Sequence, residues 1–174
     1  MSAESQGVQS SQGRYLLIPR TLAFVRNDED VLFLKGAPDK RLYPNKYNGI
    51  GGHVEVGESI PASALREIGE EVGILDIENL KLRAIISIDT NTNPGILLFV
   101  FTAHTKTRSL AGSLEGMPEW INTYRLPENE LAEDLPIILP RILAMGDLEP
   151  PIFIHYTYDV DGKLSIRFGE EKLG

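Results

Sequence analysis

Three glutamates in the middle of the chain are spaced for one face of a helix. Glu67, Glu70 and Glu71 stand at positions i, i+3 and i+4, and side chains at these spacings are neighbours on a helix surface. Two partly desolvated carboxylates roughly 5 Å apart would repel by about 3 kcal/mol at an effective dielectric near 20. A hard divalent cation with oxygen ligands would offset this repulsion. The spacing therefore favours a divalent-cation site, although such a triplet taken alone is also typical of a solvated helix face.

The stretch around these glutamates concentrates negative charge. Between Gly52 and Ile74 the chain has five acids and one base, a local −4 that is half of its formal net charge of −8. The base, Arg66, is adjacent to Glu67 and should not share its helix face. We therefore expect Arg66 to reach Glu58 and to pin the preceding loop to the helix. Four glycines leave the approach to the helix free of bulk, so that backbone groups can come close to a ligand or metal ion; they are Gly49, Gly51, Gly52 and Gly57.

A helix over Ile60 to Val72 would position the glutamates. Its apolar residues recur at helical spacing and lie on a different face from the three carboxylates. Ser59 is suited to cap the N-terminus, Pro61 is tolerated in the first turn, and Gly73 is suited to end the helix. The helix is thus predicted by the periodicity of its apolar residues and by the residues suited to its two ends.

The rest of the chain reads mainly as short strands, and one further helix is predicted near the end. Asn27 to Asp30 and Asp161-Gly162 are predicted hairpin turns, the second with two residues. The pattern predicts an α/β (α+β) fold, either plain α+β or a layered α/β/α sandwich. The predicted strands are Arg14–Arg26, Val31–Lys35, Leu80–Ile88, Ile96–Thr105, Glu119–Tyr124 and the two halves of Ile152–Phe168; Gly36–Tyr47 is a loop, and the helix Leu126–Met145 is interrupted at Pro136 and Pro140.

Length and composition exclude several classes of protein. The 174 residues fit one domain, predicted over residues 14–174, after a disordered tail at residues 1–13. The chain has no cysteine, which excludes disulfides, thiolate nucleophiles and Cys-bound metals. The net charge of −8 argues against a nucleic-acid partner. No apolar run is long enough to span a bilayer, and the N-terminus is not a signal peptide, so a cytoplasmic location is expected.

The stretch from Gly52 to Ile74 resembles the Nudix box, G-x5-E-x7-R-E-U-x-E-E-x-G-U, where U is a bulky apolar residue. Every specified position matches, and the order of strands and helices from about Arg14 to Phe168 resembles the MutT-like Nudix fold, an α/β/α sandwich with a mixed sheet. The matching positions are Gly52, Glu58, Arg66, Glu67, Ile68, Glu70, Glu71, Gly73 and Ile74.

The resemblance implies a hydrolase that cleaves a phosphoanhydride bond with Mg²⁺ or Mn²⁺. The implied metal ligands are Glu67, Glu70, Glu71 and the backbone carbonyl of Gly51, while Arg66 and Glu58 brace the site. Metals in such a site bridge phosphate oxygens and activate the attacking water. A further carboxylate from outside the box often completes the site. Glu115 is the candidate, with a solvated loop acid as the alternative.

Two segments outside the box resemble oxidised-purine nucleoside triphosphatases of this family. Tyr47 to Gly52 is similar to their W-N-G-x-G-G motif, which implies a base contact for Asn48; a simple Asn-Gly turn is the alternative. Leu131 to Ile138 is similar to the segment that carries their acidic pair. It would place Glu133 and Asp134 near the purine edge, unless these are two exposed acids at a helix start. Lys35 is a further candidate for substrate binding. The chain departs from that group at Tyr47, His53 and Leu131.

Three functions are compatible with these features. The leading one is hydrolysis of a nucleoside triphosphate, such as an 8-oxo-dGTP-like purine, to the monophosphate and pyrophosphate. The second is hydrolysis of ADP-ribose or a nucleotide sugar, which uses the same metal site. The third is a non-catalytic, ligand-sensing Nudix module. In each case the expected partner is a small nucleotide, with no nucleic acid or membrane, and the chain would be a monomer or a homodimer.

Overall fold

A computed structural model describes residues 13–39, 43–112, 116–127 and 130–169 of the chain. The predicted N-terminal tail, up to residue 12, and Glu115 lie outside these described residues. The elements, in chain order, are β1 (Leu17–Asn27), β2 (Asp30–Gly36), β3 (Tyr47–Asn48), α1 (Ile60–Val72), β4 (Glu78–Ile88), β5 (Gly95–His104), β6 (Gly116–Asn122), a 3-10 helix (Thr123–Arg125), α2 (Leu135–Ala144), β7 (Ile152–Tyr158) and β8 (Leu164–Phe168).

The strands form one mixed sheet. Its order is β3-β2-β1-β5-β4-β7-β8, and β6 pairs with β2 as well. The pairs β1–β5 and β4–β7 are parallel, whereas β1–β2, β2–β6, β4–β5 and β7–β8 are antiparallel. After β3 the chain stays beside β1 without forming a full strand, through bridges between Ala23 and Ile50 and between Arg20 and His53. This segment carries Gly51 and Gly52 along the edge of β1.

The two helices cover opposite faces of the sheet. Side chains alternate between the faces of a strand, and β1 divides its buried residues in this way. Ala23 and Val25 belong to the apolar cluster of α1, which includes Ile68. Leu22 and Phe24 belong to the cluster that contains the apolar residues of α2. The predicted α/β/α sandwich with a mixed sheet is therefore confirmed.

The predicted bounds of α1 are confirmed at both ends, but those of α2 are wrong. This helix begins at Leu135 rather than at Leu126. The residues before it are held in another conformation, because Leu131 bridges Tyr47 and the Ala132 amide donates to the Tyr47 carbonyl at 2.9 Å. Pro136 stands in the first turn, and Pro140 lies inside the helix without ending it.

The turn at Asp161-Gly162 is longer than predicted. Tyr158 pairs with Leu164, which leaves a five-residue loop, 159–163, between β7 and β8. The Asp159 carboxylate organises this loop because it accepts hydrogen bonds from the amides of Asp161 and Lys163. The described part of the chain has no helix of sufficient length and apolar character to cross a membrane.

Candidate active site

Helix α1 is fixed at both ends by local interactions. The Ser59 hydroxyl accepts a hydrogen bond from the Ala62 amide at 3.4 Å, which satisfies one of the free amides of the first turn. Gly73 ends the helix with a φ of 74°, and its amide donates to the Gly69 carbonyl at 3.1 Å. Most L-residues avoid this left-handed conformation, whereas glycine adopts it readily. The glutamates of the box therefore lie on a helix whose start and end are defined by sequence.

Arg66 connects the loop before α1 to the helix. Its Nε and Nη2 donate to the two carboxylate oxygens of Glu58 at 3.1 and 2.9 Å, a bidentate pair that confirms the predicted contact. Nη2 also donates to the His53 carbonyl at 3.0 Å and approaches the Ser63 hydroxyl at 3.5 Å. The hydrogen bond from Arg66 lowers the pKa of Glu58 to about 2, so this carboxylate stays ionised at neutral pH.

The same guanidinium also reaches the helix face of the glutamates, contrary to the prediction that Arg66 would not share it. Nη1 of Arg66 donates to Glu67 Oε1 and to Glu70 Oε2, each at 3.0 Å. The physical reason is the length of the arginine side chain, whose planar fork can address several acceptors at once. Ser63 was missed at the sequence level because a buried serine inside a helix gives no local signal.

Two of the glutamates pack against the glycine segment beside β1. Glu71 is 6% exposed, and its Oε2 accepts a hydrogen bond from the Gly51 amide at 3.3 Å. The side chain of Glu67 is 13% exposed, and its carboxylate lies where a Cβ on Gly52 would be. A Cβ on Gly51 would meet the carbonyl group of Thr21. The close approach of strand, glycine segment and helix leaves no room for a side chain at Gly51, where backbone atoms would be met, and only displaces the Glu67 carboxylate at Gly52.

Glu70 lies differently from its two neighbours. Its side chain is 61% exposed and is bound by Arg66. Within the four described ranges, no group of three His, Cys, Asp or Glu side chains converges as a set of metal ligands would. The predicted carboxylate ligands thus lie on one helix, near Gly51, but Arg66 bonds to two of them, Glu67 and Glu70.

Glu115 falls outside the described residues, but the chain on both sides of it is placed. The Ala111 amide donates to the Val72 carbonyl at 3.0 Å. The Ala111 side chain packs over Gly73, where a Cβ would lie only 2.8 Å from it. On the other side, Gly116 begins β6 and pairs with Gly36. The described residues nearest to Glu115 therefore lie at the C-terminal end of α1 on one side and at the start of β6 on the other.

The acidic pair before α2 consists of two unequal residues. Asp134 is 8% exposed, whereas Glu133 is exposed. The Tyr156 hydroxyl, from β7, donates to Asp134 Oδ2 at 3.1 Å. Burial raises the pKa of the Asp134 carboxyl, an effect that the Tyr156 hydrogen bond opposes and that Glu133 adds to. The alternative of two exposed acids at a helix start is therefore wrong for Asp134 and holds for Glu133.

Three tyrosines surround this carboxylate, and the sequence analysis did not find them. Burial raises the pKa of Tyr43, Tyr156 and Tyr158, and the nearby Asp134 raises each of them further. These phenols therefore remain protonated and serve as hydrogen-bond donors. Because Tyr43 precedes β3 whereas Tyr156 and Tyr158 belong to β7, only the fold brings them together.

Asn48 and Lys35 already have partners within the protein. Asn48 Oδ1 accepts a hydrogen bond from the Gly49 amide at 2.8 Å, as an Asn-Gly turn would provide. The Lys35 ammonium forms an ion pair with Glu130 at 2.6 Å and lies 4.6 Å from the centre of the Tyr47 ring. The Tyr47 hydroxyl donates to Glu119 at 2.7 Å. Lys35 and Asn48 are thus both neighbours of Tyr47 on the strands β2 and β3.

Comparison with known proteins identifies the class to which this protein belongs. The chain matches the family model described as the NUDIX domain over residues 16–141. It therefore belongs to the Nudix family, and it is a Nudix hydrolase, as the box resemblance predicted. Nudix hydrolases generally use a divalent metal ion.

Individual relatives are also named as hydrolases or MutT proteins. The oxidized purine nucleoside triphosphate hydrolase of Mus musculus is 29% identical over 124 residues, which cover 71% of this chain and 78% of the mouse protein. The Danio rerio protein of the same name is 28% identical over 118 residues, 65% of this chain and 75% of its own. Among solved structures, a mutator MutT protein from Bacillus halodurans is similar with a TM-score of 0.72 and 27% identity, covering 89% of this chain and 99% of that one.

Proposed function

We propose that this Nudix hydrolase cleaves a nucleoside triphosphate, with an oxidised purine such as 8-oxo-dGTP as the preferred class, to the monophosphate and pyrophosphate. One observation carries the proposal: two largely buried carboxylates, Glu67 and Glu71, lie against Gly51 and Gly52 at the end of a braced loop. Buried carboxylates one helical turn apart need positive charge, and a polyphosphate with its metal ion supplies the matching ligand.

The donor groups fit a hard divalent cation such as Mg²⁺. Glu67, Glu70, Glu71 and the Gly51 carbonyl would hold it, and Glu115, directly before β6, is a further proposed ligand. All are oxygen donors, which Mg²⁺ prefers. Three of the acids in this stretch, Glu58, Glu67 and Glu70, bond to the single positive charge of Arg66, and a divalent cation would further offset the repulsion among the carboxylates. When bound, the metal would polarise the phosphate oxygens and activate water.

The protein residues supply position and exclusion of solvent. Arg66 holds the Glu58 loop and orients two glutamates of the box. The two glycines permit the substrate-facing segment to lie directly on the helix. Such preorganised charges act at the site where negative charge develops on the transferred phosphoryl group.

The purine preference is supported by the region around Asp134. A buried carboxylate bonded to a phenol, with Tyr43 and Tyr158 beside it, offers hydrogen-bonding groups inside an apolar surrounding. This combination suits the edge of a planar base better than a second phosphate, because none of these groups is a cation. The two curated relatives described above hydrolyse oxidised purine nucleoside triphosphates according to their names. Tyr47 and Leu131 occupy the positions at which this chain differs from that group's motifs.

We test this with a hydrolysis assay of 8-oxo-dGTP, dGTP and ADP-ribose with Mg²⁺, in which pyrophosphate release is measured for the two triphosphates and AMP formation for ADP-ribose. We expect turnover of 8-oxo-dGTP, and Glu71→Gln should lower kcat/KM by at least about a hundredfold because a metal ligand is lost. Glu55→Gln is the matched control, since this exposed glutamate belongs to the same stretch and should retain activity within about twofold.

The outcomes distinguish among the three candidate functions. Equal turnover by the wild type and Glu71→Gln would contradict the proposed catalytic centre. Preferred turnover of ADP-ribose would replace the triphosphate with the nucleotide-sugar alternative. Absence of turnover, with calorimetry showing that one of these nucleotides binds, would support the ligand-sensing module.

A further inference from the structure

Part of the sheet face that carries α2 remains open to solvent near Asp134. Pairing across β1, β5, β4 and β7 aligns its side chains in rows. Leu98, Ile96 and Ile88 are half-buried and Ile18 is exposed, whereas Tyr156 at the far end is buried and bonded to Asp134. The result is an apolar floor that leads to a polar end. One row consists of Arg20, Leu98, Ile86 and Ile154, and the next of Ile18, Ile96, Ile88 and Tyr156.

Arg20 is the one charged residue in these two rows. It shares the face of Leu22 and Phe24, because alternate residues of a strand point to the same side. The residue is half-buried, and its Nε is buried without a hydrogen-bond acceptor among the described residues. Over the same described ranges Arg20 has no ion pair, in contrast with Arg66 and Arg83, which bond to several acceptors. A partly buried cation without a partner is costly, so a ligand that supplies an acceptor would relieve that cost.

The position of Arg20 indicates which part of a ligand it would meet. Arg20 pairs with His53 at the edge of β1. His53 directly follows Gly51 and Gly52, which contact Glu71 and Glu67. On the other side, Arg20 lies in the row next to the one that ends at Tyr156. Across the sheet, Arg20 therefore lies between the segment that carries Gly51 and Gly52 and the strand that carries Tyr156, and its side chain is on the α2 face, as Tyr156 is.

We propose that Arg20 binds the phosphate attached to the nucleoside, between the base site and the metal site. The inference rests on the proposed function, because it takes the base to lie at Asp134 and the cleaved phosphates at α1. A guanidinium matches a phosphate geometrically, since it presents parallel donors to two oxygens. Arg20 would thus be a specificity-determining residue that favours a nucleotide over a nucleoside.

Arg26 provides a matched control on the same strand. It shares the face of Arg20, is also half-buried, and its Nε likewise has no acceptor among the residues that the structure describes. However, Arg26 pairs with Val31 and His104 beside the β1–β2 hairpin. Six residues of extended chain separate it from Arg20 by about 20 Å. The two substitutions Arg20→Met and Arg26→Met therefore perturb the same kind of group at different distances from the site.

The experiment measures binding by calorimetry, without added metal, for two probes: 8-oxo-dGMP and the nucleoside 8-oxo-deoxyguanosine. We expect Arg20→Met to weaken 8-oxo-dGMP binding at least about tenfold and to leave nucleoside binding within about twofold. Arg26→Met should leave both affinities within about twofold. Arg20→Lys keeps the charge but loses the paired donors, so it should weaken 8-oxo-dGMP binding at least about threefold relative to the wild type and leave nucleoside binding within about twofold. This comparison with the wild type tests the inference even if Arg20→Met folds poorly.

The possible failures are distinguishable. Unchanged binding of 8-oxo-dGMP by Arg20→Met and Arg20→Lys, with normal turnover by the wild type, overturns the role of Arg20 alone. Equal weakening of the binding of both probes also overturns the role of Arg20, because the substitution would then act on the base site. A wild type that neither binds the probes nor hydrolyses 8-oxo-dGTP overturns the proposed function and this inference together.

Discussion

A single methyl group added at Gly52 should reduce catalysis without unfolding the protein. An ideal Cβ on Gly52 would lie 2.7 Å from Cδ and 3.0 Å from Oε2 of Glu67. Carbon atoms in contact are separated by about 3.5–4.0 Å, so the Glu67 carboxylate must retreat by about 1 Å. A displacement of that size in a catalytic group costs about a hundredfold in rate. We therefore expect Gly52→Ala to lower kcat by about a hundredfold.

The expected effect on stability is small, because the group that must move is the end of a flexible side chain. Gly52 has no left-handed φ, so alanine is compatible with its backbone. The change in free energy of unfolding should stay within about 1 kcal/mol, including the small gain from replacing glycine. Activity and stability are thus predicted to separate, and they are measured by the hydrolysis assay and by urea denaturation.

Two other glycines provide controls. No atom of the described residues lies within 4 Å of a Cβ added at Gly112, so Gly112→Ala should change neither the activity nor the free energy of unfolding. At Gly51 the added Cβ would lie 2.7 Å from the Thr21 carbonyl carbon and 2.9 Å from Leu22 Cα. Because these are backbone atoms of the central strand β1, Gly51→Ala should destabilise the fold by about 1–3 kcal/mol. If Gly52→Ala keeps full activity, or loses stability as Gly51→Ala does, the reasoning about Glu67 is refuted.

Two further predictions concern charge. Arg66→Lys keeps the charge but cannot span Glu58, Glu67 and the His53 carbonyl, so the free energy of unfolding in urea should fall by about 2 kcal/mol. The exposed Arg125→Lys is the control. A loss below about 0.5 kcal/mol for Arg66→Lys would contradict the bracing role. Burial raises the pKa of Asp134 above its usual 3.8. The stability that the protonated carboxyl contributes is therefore fully present below pH 3.8 and is lost as the pH rises through the raised pKa. Asp134→Asn has no such ionisation, and its melting temperature relative to the wild type should therefore increase from about pH 4 to about pH 7. An equal difference between Asp134→Asn and the wild type at both pH values would argue against a raised pKa of Asp134.

Helix α1 was predictable from the sequence because its determinants are local. The hydroxyl of Ser59 and the left-handed Gly73 act within a few residues, and the periodic apolar face needs no knowledge of the sheet. The contact between Arg66 and Glu58 was also predictable. Its extension to Glu67 was missed, because helix-face geometry describes where a side chain starts and not how far a long guanidinium reaches.

The surroundings of Asp134 were beyond sequence reasoning for a topological reason. Tyr43 and Tyr156 are separated by most of the chain, and they meet only because β7 pairs with β4 in parallel. The start of α2 was mispredicted for a related reason. The backbone bonds between Tyr47 and the segment of Leu131 and Ala132 oppose an earlier helix start, and a local helical pattern contains no information about a partner so far away.

The sharing of Arg66 also affects how substitutions in the box combine. One guanidinium serves Glu58, Glu67 and Glu70 at once, so removal of one carboxylate changes the donors available to the other two. Substitution effects at these three sites should therefore be non-additive, as is general for residues in one hydrogen-bond network. In evolutionary terms the three acids are epistatic: the tolerance of each site to change depends on which residues occupy the others.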